Sequence, residues 1–148
     1  MIGYFDSSVL LAILLDEKNQ KNASDLWTSA DLRVSSILLR IETTIVVRRT
    51  YSHFKAKLGS DWLTQKLGEL EEYLKEVNYR IVDAEIEKSI SLKKDFARCR
   101  ALDAIHIATA LEFNTIKGNH EFKIFSYDSR MLDLAKQFRM ATNVGEIG

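Results

Sequence analysis

The sequence has no proline, six glycines and one cysteine in 148 residues. With so little of the usual punctuation of flexible linkers, it predicts one compact, helix-rich domain over residues 1–148 with short connections. The lone Cys99 excludes an internal disulfide and leaves no cysteine set for a zinc site, which points to a reducing compartment, the cytoplasm by default. No apolar run reaches the ~20 residues of a membrane span. The apolar stretch Ser8–Leu15 has Asp6 before it and Asp16 and Glu17 after it, with no basic leader, so neither a signal peptide nor a membrane partner is expected. An excess of one charge is missing too: 21 Lys and Arg balance 21 Asp and Glu. Only the distribution of charge can then speak about a polyanionic partner.

What is present reads as an ordinary globular chain, 46% hydrophobic and 28% charged, and long enough to bury roughly 70% of its unfolded surface. Ile2–Phe5 reads as a strand, followed by a helix through Leu15 that Ser7 or Ser8 can cap. A helix over Asn19–Ser29, a strand over Leu32–Ser35 and helices over Ser36–Tyr51 and Ser60–Glu76 follow. Tyr79–Val82 reads as a strand, and Asp83 as the cap of a helix to about Phe96. Ala101–Phe113 is a nearly all-apolar, buried helix, Lys123–Ser126 a strand, Ser129–Phe138 a helix and Ala141–Val144 a last strand. Strands alternating with helices imply an α/β domain of three layers around a parallel sheet. In such sheets ligands bind beyond the carboxyl ends of the strands, where strand order switches, and Asp6 and Asp128 fall at such ends.

Four carboxylates are candidates for chemistry, each with a plain structural alternative. Asp6 and Asp128 each follow a strand and precede a helix, where aspartate also serves as an N-cap. Glu42 has Leu38 and Val46 as its helical neighbours, an apolar setting that demands a partner: a cation, or Arg40, Arg48 or Arg49. Asp103 shares its apolar helix with one other ionisable group, His106, three residues on. It must take a cation, cap a helix, or pair with His106 or Arg100; for His106 one structural hydrogen bond, orienting Asp103, is the simpler role. If the four acids meet, hard oxygen donors with little histidine and no nearby cysteine favour Mg2+, with Mn2+ as the alternative. Asp6, Asp103 and Asp128 are then the direct ligands, with Glu42 binding directly or through water. Such an ion deprotonates water and polarises a phosphodiester.

The residues that flank these acids resemble the motifs of the PIN-domain family, and within it the small VapC-type toxins of toxin–antitoxin pairs. Tyr4-Phe5-Asp6-Ser7-Ser8-Val9-Leu10 looks like the opening motif, and Arg40-Ile41-Glu42 like the helix glutamate. Leu102 to Ala110 resembles the third motif, and Ser126-Tyr127-Asp128-Ser129-Arg130-Met131 the fourth. The resemblance spans nearly the whole chain. It implies strand order 3-2-1-4-5, metal-dependent cleavage of RNA, a homodimer, and a small antitoxin protein inserted at the active site. Ser8 and Ser126 match polar positions used beside the acids, and the segment Asn114–Phe122 departs from the pattern as a longer, more polar connection.

Arg40, Arg48, Arg49, Lys55 and Lys57 crowd one stretch against Glu42, with Tyr51, His53 and Phe54 between them. That pattern suits a groove for a single-stranded RNA backbone with stacking groups for bases, and equally a solvated helix end. Lys93, Lys94, Arg98 and Arg100 form a second basic cluster. Three other functions compete. One is an RNA-processing nuclease without an antitoxin, and another is a catalytically silent protein-binding module. The third is a signalling receiver, whose one foothold is Asp83 after a middle strand and whose expected lysine after Lys123–Ser126 is missing.

Overall fold

The computed structural model describes residues 1–144. Its parallel sheet has strands β1 (Ile2–Phe5), β2 (Leu32–Ser36), β3 (Val77–Arg80) and β4 (Phe122–Phe125) in the order β3-β2-β1-β4. The crossovers are helical: α1 (Ser7–Leu14) and α2 (Gln20–Ser29) follow β1, and α3 (Leu38–Leu58) and α4 (Trp62–Leu74) follow β2. After β3 come α5 (Ala84–Ser91), a 3-10 turn over Lys94–Arg98 and α6 (Ala101–Ile116), and α7 (Ser129–Gln137) follows β4.

Strand alternation builds the three layers, because successive side chains point to opposite faces. Phe5 and Phe125 enter one core with Leu10, Leu14, Trp27, Leu39 and Leu74, under α1 to α4. Tyr4 and Ile124 enter the other with Ile86, Ile107, Met131 and Leu134, under α5 to α7. The rings of Phe5 and Phe125 stack with centroids 4.9 Å apart. Gly3 lies beneath them: a Cβ there would stand 2.8 Å from a carbon of each ring. Glycine at this position serves close packing, and it lets the β1–β4 seam close.

The α/β class and three-layer order agree with the sequence reading, and the fifth strand does not form. Ala141–Val144 contributes a single parallel bridge, Thr142 to Ile124. The next ladder donor on that edge, the Ser126 N–H, goes to the Asn143 side chain at 2.9 Å instead of to a strand carbonyl, so the ladder stops. β3 lies two residues earlier than Tyr79–Val82, because its register with β2 runs from Arg33↔Val77 to Ser36↔Arg80 and leaves Ile81 and Val82 exposed. The helix expected from Asp83 to Phe96 divides into α5 and the 3-10 turn, which lets Phe96 pack on Phe138 at 4.8 Å between ring centroids. α3 runs past Tyr51 to Leu58, and its far end has no apolar stripe because it is solvated; it breaks helical geometry at Phe54 and stops at Gly59, whose φ is 82°. The polar segment after Asn114 is shorter than it looks in sequence, since α6 takes it up as far as Ile116. Among the described residues no helix is long and apolar enough to cross a membrane.

Candidate active site

The chain leaves β1 toward β2 and β3 on one side and returns as β4 on the other, so strand order switches between β1 and β4. A crevice opens beyond the carboxyl ends of parallel strands at such a point. Phe5 pairs with Phe125 there, and Asp6 and Ser126 are the next residues of the two strands. Asp6 caps α1, accepting the Ser8 N–H at 3.0 Å. The cap is thus Asp6 and not Ser7 or Ser8. The Ser8 hydroxyl instead donates to Asp6 Oδ1 at 2.5 Å and accepts the Tyr127 N–H at 2.8 Å. The Ser126 hydroxyl donates to Asp6 Oδ2 and accepts the Asp128 N–H at 2.9 Å. Two serines therefore hold both oxygens of one buried carboxylate and sew the two strand ends together. Burial raises the Asp6 pKa above its ordinary value, and the hydrogen bonds from Ser126 and Ser8 oppose that shift in part.

Glu42, half-buried on α3, meets His106 of α6 at 2.6 Å between Oε1 and Nε2. None of the three arginines near it in sequence is its partner: Arg40 pairs with Glu71 at 2.7 Å, and Arg48 and Arg49 are exposed. His106 does not orient Asp103 as the sequence suggested. Its other nitrogen, Nδ1, lies 2.7 Å from the Tyr4 hydroxyl, which also accepts the Ser36 N–H at 3.2 Å. Burial drives the Tyr4 phenol well above its ordinary pKa, so it stays protonated. Tyr4 is the residue that sequence reasoning missed. The available signal was a tyrosine in a strand bound for the core, whose hydroxyl had to find a partner.

Asp103 stands in the first turn of α6, and its Oδ2 is buried without a hydrogen-bond partner. Neither His106 nor Arg100 satisfies it. Asp128 is exposed and caps α7 by accepting the Arg130 N–H at 2.9 Å. Among the described residues no three His, Cys, Asp or Glu side chains converge closely enough to form a ready-made cage for an ion. The donor set nonetheless fits a hard divalent cation: the acids offer oxygen, one buried oxygen lacks a partner, and Mg2+ commonly binds one or two carboxylates while keeping several waters.

Arg48, Arg49, Lys55 and Lys57 are all exposed along α3, as are His53 and Phe54. Tyr51 is withdrawn from that surface and stacks on Trp62 of α4, 6.3 Å between centroids. Lys93, Lys94, Arg98 and Arg100 are exposed before Asp103. The receiver-like reading loses its foothold, because β3 is an edge strand and Asp83 caps α5 while pairing with Arg80 at 3.0 Å.

A four-stranded parallel sheet, helices on both faces and a buried acid, Asp6, at the switch point define a three-layer α/β domain. The chain belongs to the PIN domain family, whose model matches residues 3–137, a span that includes Asp6, Glu42, Asp103 and Asp128. No curated protein sequence matches it. Among solved structures it is similar to a chain of VapBC2 from Rickettsia felis, a complex bound to a DNA fragment from their promoter, with 12% identity and a TM-score of 0.60 over 96% of this chain and 97% of that one. It is also similar to a chain of VapBC-1 from nontypeable Haemophilus influenzae, with 13% identity and a TM-score of 0.54 over 96% of each. At such identities the likeness is one of fold.

Proposed function

We propose that this PIN domain is a divalent-metal-dependent endoribonuclease, the toxin of a type II toxin–antitoxin pair. The observation that carries the reading is the Asp103 oxygen, buried and unpartnered, in a fold whose β1 end already holds a second buried acid, Asp6. A buried carboxylate oxygen without a partner is costly, and a cation is the partner that would offset that cost. Asp6, Asp103 and Asp128 would hold Mg2+, or Mn2+, with Glu42 binding directly or through water. When bound, the ion supplies an activated water and polarises the scissile phosphodiester.

The chain's own residues do the rest. Ser8 and Ser126 fix the Asp6 carboxylate before substrate arrives, and His106 holds Glu42. Arg48, Arg49, Lys55 and Lys57 would take backbone phosphates, while His53 and Phe54 offer faces to unpaired bases. The folds of the VapBC chains support a small antitoxin as partner. A homodimer in the cytoplasm belongs to the same reading.

The test is direct. Protein freed of any partner is incubated with total cellular RNA in Mg2+ or Mn2+, and the fragment ends are mapped. Discrete cuts are expected that vanish with EDTA and in the Asp6→Asn variant. Cuts that survive both controls, or metal binding with no cuts, would sink the reading, and the second result would favour a silent binding module.

A further inference from the structure

Glu42 is held by a chain of side chains that crosses the carboxyl edge of the sheet from one helical layer to the other. α3 packs in the core beneath Phe5, and α6 packs in the core beneath Tyr4. Glu42 Oε1 lies 2.6 Å from His106 Nε2, and Nδ1 of the same ring lies 2.7 Å from the Tyr4 hydroxyl. The two rings meet edge to face at 86° with centroids 5.9 Å apart. Tyr4 is wholly buried and His106 is 2% exposed, while the Glu42 side chain is 26% exposed. The chain thus starts in the core and ends at the surface.

A neutral ring has one arrangement that suits all three groups. The Tyr4 oxygen already accepts the Ser36 N–H at 3.2 Å, so its own proton is free for Nδ1. A neutral imidazole that accepts at Nδ1 must carry its proton on Nε2. That proton then faces the Glu42 carboxylate and makes a charge-assisted hydrogen bond. The opposite tautomer would set a bare nitrogen against a carboxylate oxygen. Without His106, Glu42 would be a long side chain with several rotamers open to it.

We propose that Tyr4 and His106 are positioning residues for Glu42: the tyrosine sets the histidine tautomer, and the histidine holds the carboxylate in place. The proposal rests on the reading of Glu42 as part of the nuclease site. Neither residue touches metal or RNA in this role; both act through Glu42. Partners of this kind, one step removed from a metal, typically change metal affinity or turnover by about 10–100-fold when lost.

Nitrogen-15 NMR of the labelled full chain in EDTA reads the tautomer without any need for activity. The expected result is a proton on Nε2 and a bare, hydrogen-bonded Nδ1; a proton on Nδ1, alone or together with one on Nε2, overturns the proposal. The second measurement compares two substitutions that keep opposite halves of the ring's bonding. His106→Gln can still donate to Glu42, and His106→Asn can still meet Tyr4. The Asn variant should weaken Mn2+ affinity and lower kcat on RNA on the order of tenfold with KM little changed, with the Gln variant recovering part of both. On a Glu42→Ala background the Asn substitution should add nothing further. Equal losses in Asn and Gln, or an undiminished loss on the Glu42→Ala background, mean a packing role and overturn the proposal. Should the histidine variants fail to fold, Tyr4→Phe removes one oxygen from the core and should show the same loss at smaller size; wild-type Mn2+ affinity in Tyr4→Phe would remove the tyrosine from the relay. If the wild type cuts no RNA, the nuclease reading falls, while the NMR result still decides the relay.

Discussion

Asp6 ends a strand and Asp103 opens a helix, and their surroundings are opposite. Asp6 is wrapped: Ser8 and Ser126 occupy both of its oxygens, and Tyr127 and Asp128 are tied into the same network through those serines. Asp103 is bare at Oδ2, which lies buried with no donor in reach. The one compensation on its own element is the α6 N-terminus, where a carboxylate gains from the positive end of the helix dipole. In the proposed metal site the difference would separate two jobs: Asp6 is a carboxylate that its serines already hold in place, and Asp103 is one whose missing partner a cation would supply.

The largest effect should therefore appear when a cation is added. Wild-type protein should gain about 2.7 kcal/mol of unfolding free energy at Mn2+ a hundredfold above its dissociation constant, read as a rise in melting temperature that EDTA reverses. Asp103→Ala should gain almost nothing at the same concentration. An equal gain in both would mean that the bare oxygen is not where the ion binds.

Without metal the two acids should diverge under truncation. Asp103→Ala removes an unsatisfied buried oxygen and puts a better helix former into α6, so its stability in EDTA should rise by about 1 kcal/mol. Asp6→Ala strands the Ser8 and Ser126 donors and removes the cap of α1. It should fall about 1–3 kcal/mol below Asp6→Asn, which keeps one acceptor oxygen for Ser8 and the α1 cap and can meet the Ser126 hydroxyl only as a donor. Urea unfolding of the set checks both signs, and a destabilised Asp103→Ala would erase the contrast.

How much of this contrast was legible in the sequence depends on range. Asp6 after Ile2–Phe5 and Asp128 at the head of α7 could be placed from local pattern alone, because strand and helix periods change there. Parallel pairing followed from the alternation of elements. What the sequence hid was who bonds to whom. Tyr4 and His106 are 102 positions apart, and Ser126 and Asp6 are 120 apart; no local period reports either contact. The same limit explains β3, whose bounds follow its register with β2 more than its own residues, and Ala141–Val144, where one asparagine side chain ends a strand that composition would allow.

The wrapped acid depends on a tight seam, and Gly3 is the place to loosen it. Gly3→Ala sets a methyl group against the Phe5 and Phe125 rings and Ala30. It should cost about 1–3 kcal/mol as the rings shift. Hydrogen exchange at the Ser8 and Tyr127 amides, both tied to the Asp6 network, should quicken more than exchange in the first turn of α6. Uniform quickening would show that the two acids share one cooperative unit and are not separately supported.

The smallest effect is a pH dependence confined to Asp6. Burial raises its folded pKa above the ordinary value of 3.8, so the native state keeps its proton to higher pH than the unfolded chain does. Below about pH 3.8 both states are protonated and the buried charge imposes no penalty. As pH rises through that value the unfolded state ionises first, stability falls, and the loss levels off once pH passes the folded pKa. Asp6→Asn has no such titration. In EDTA its stability relative to wild type should therefore grow as pH rises from about 4 and then reach a plateau, whereas Mn2+, which favours the ionised carboxylate, should shrink or reverse that advantage. A difference that is flat with pH would mean that the serine hydrogen bonds fully offset burial, and Asp6 would then be a charge that the fold holds without penalty.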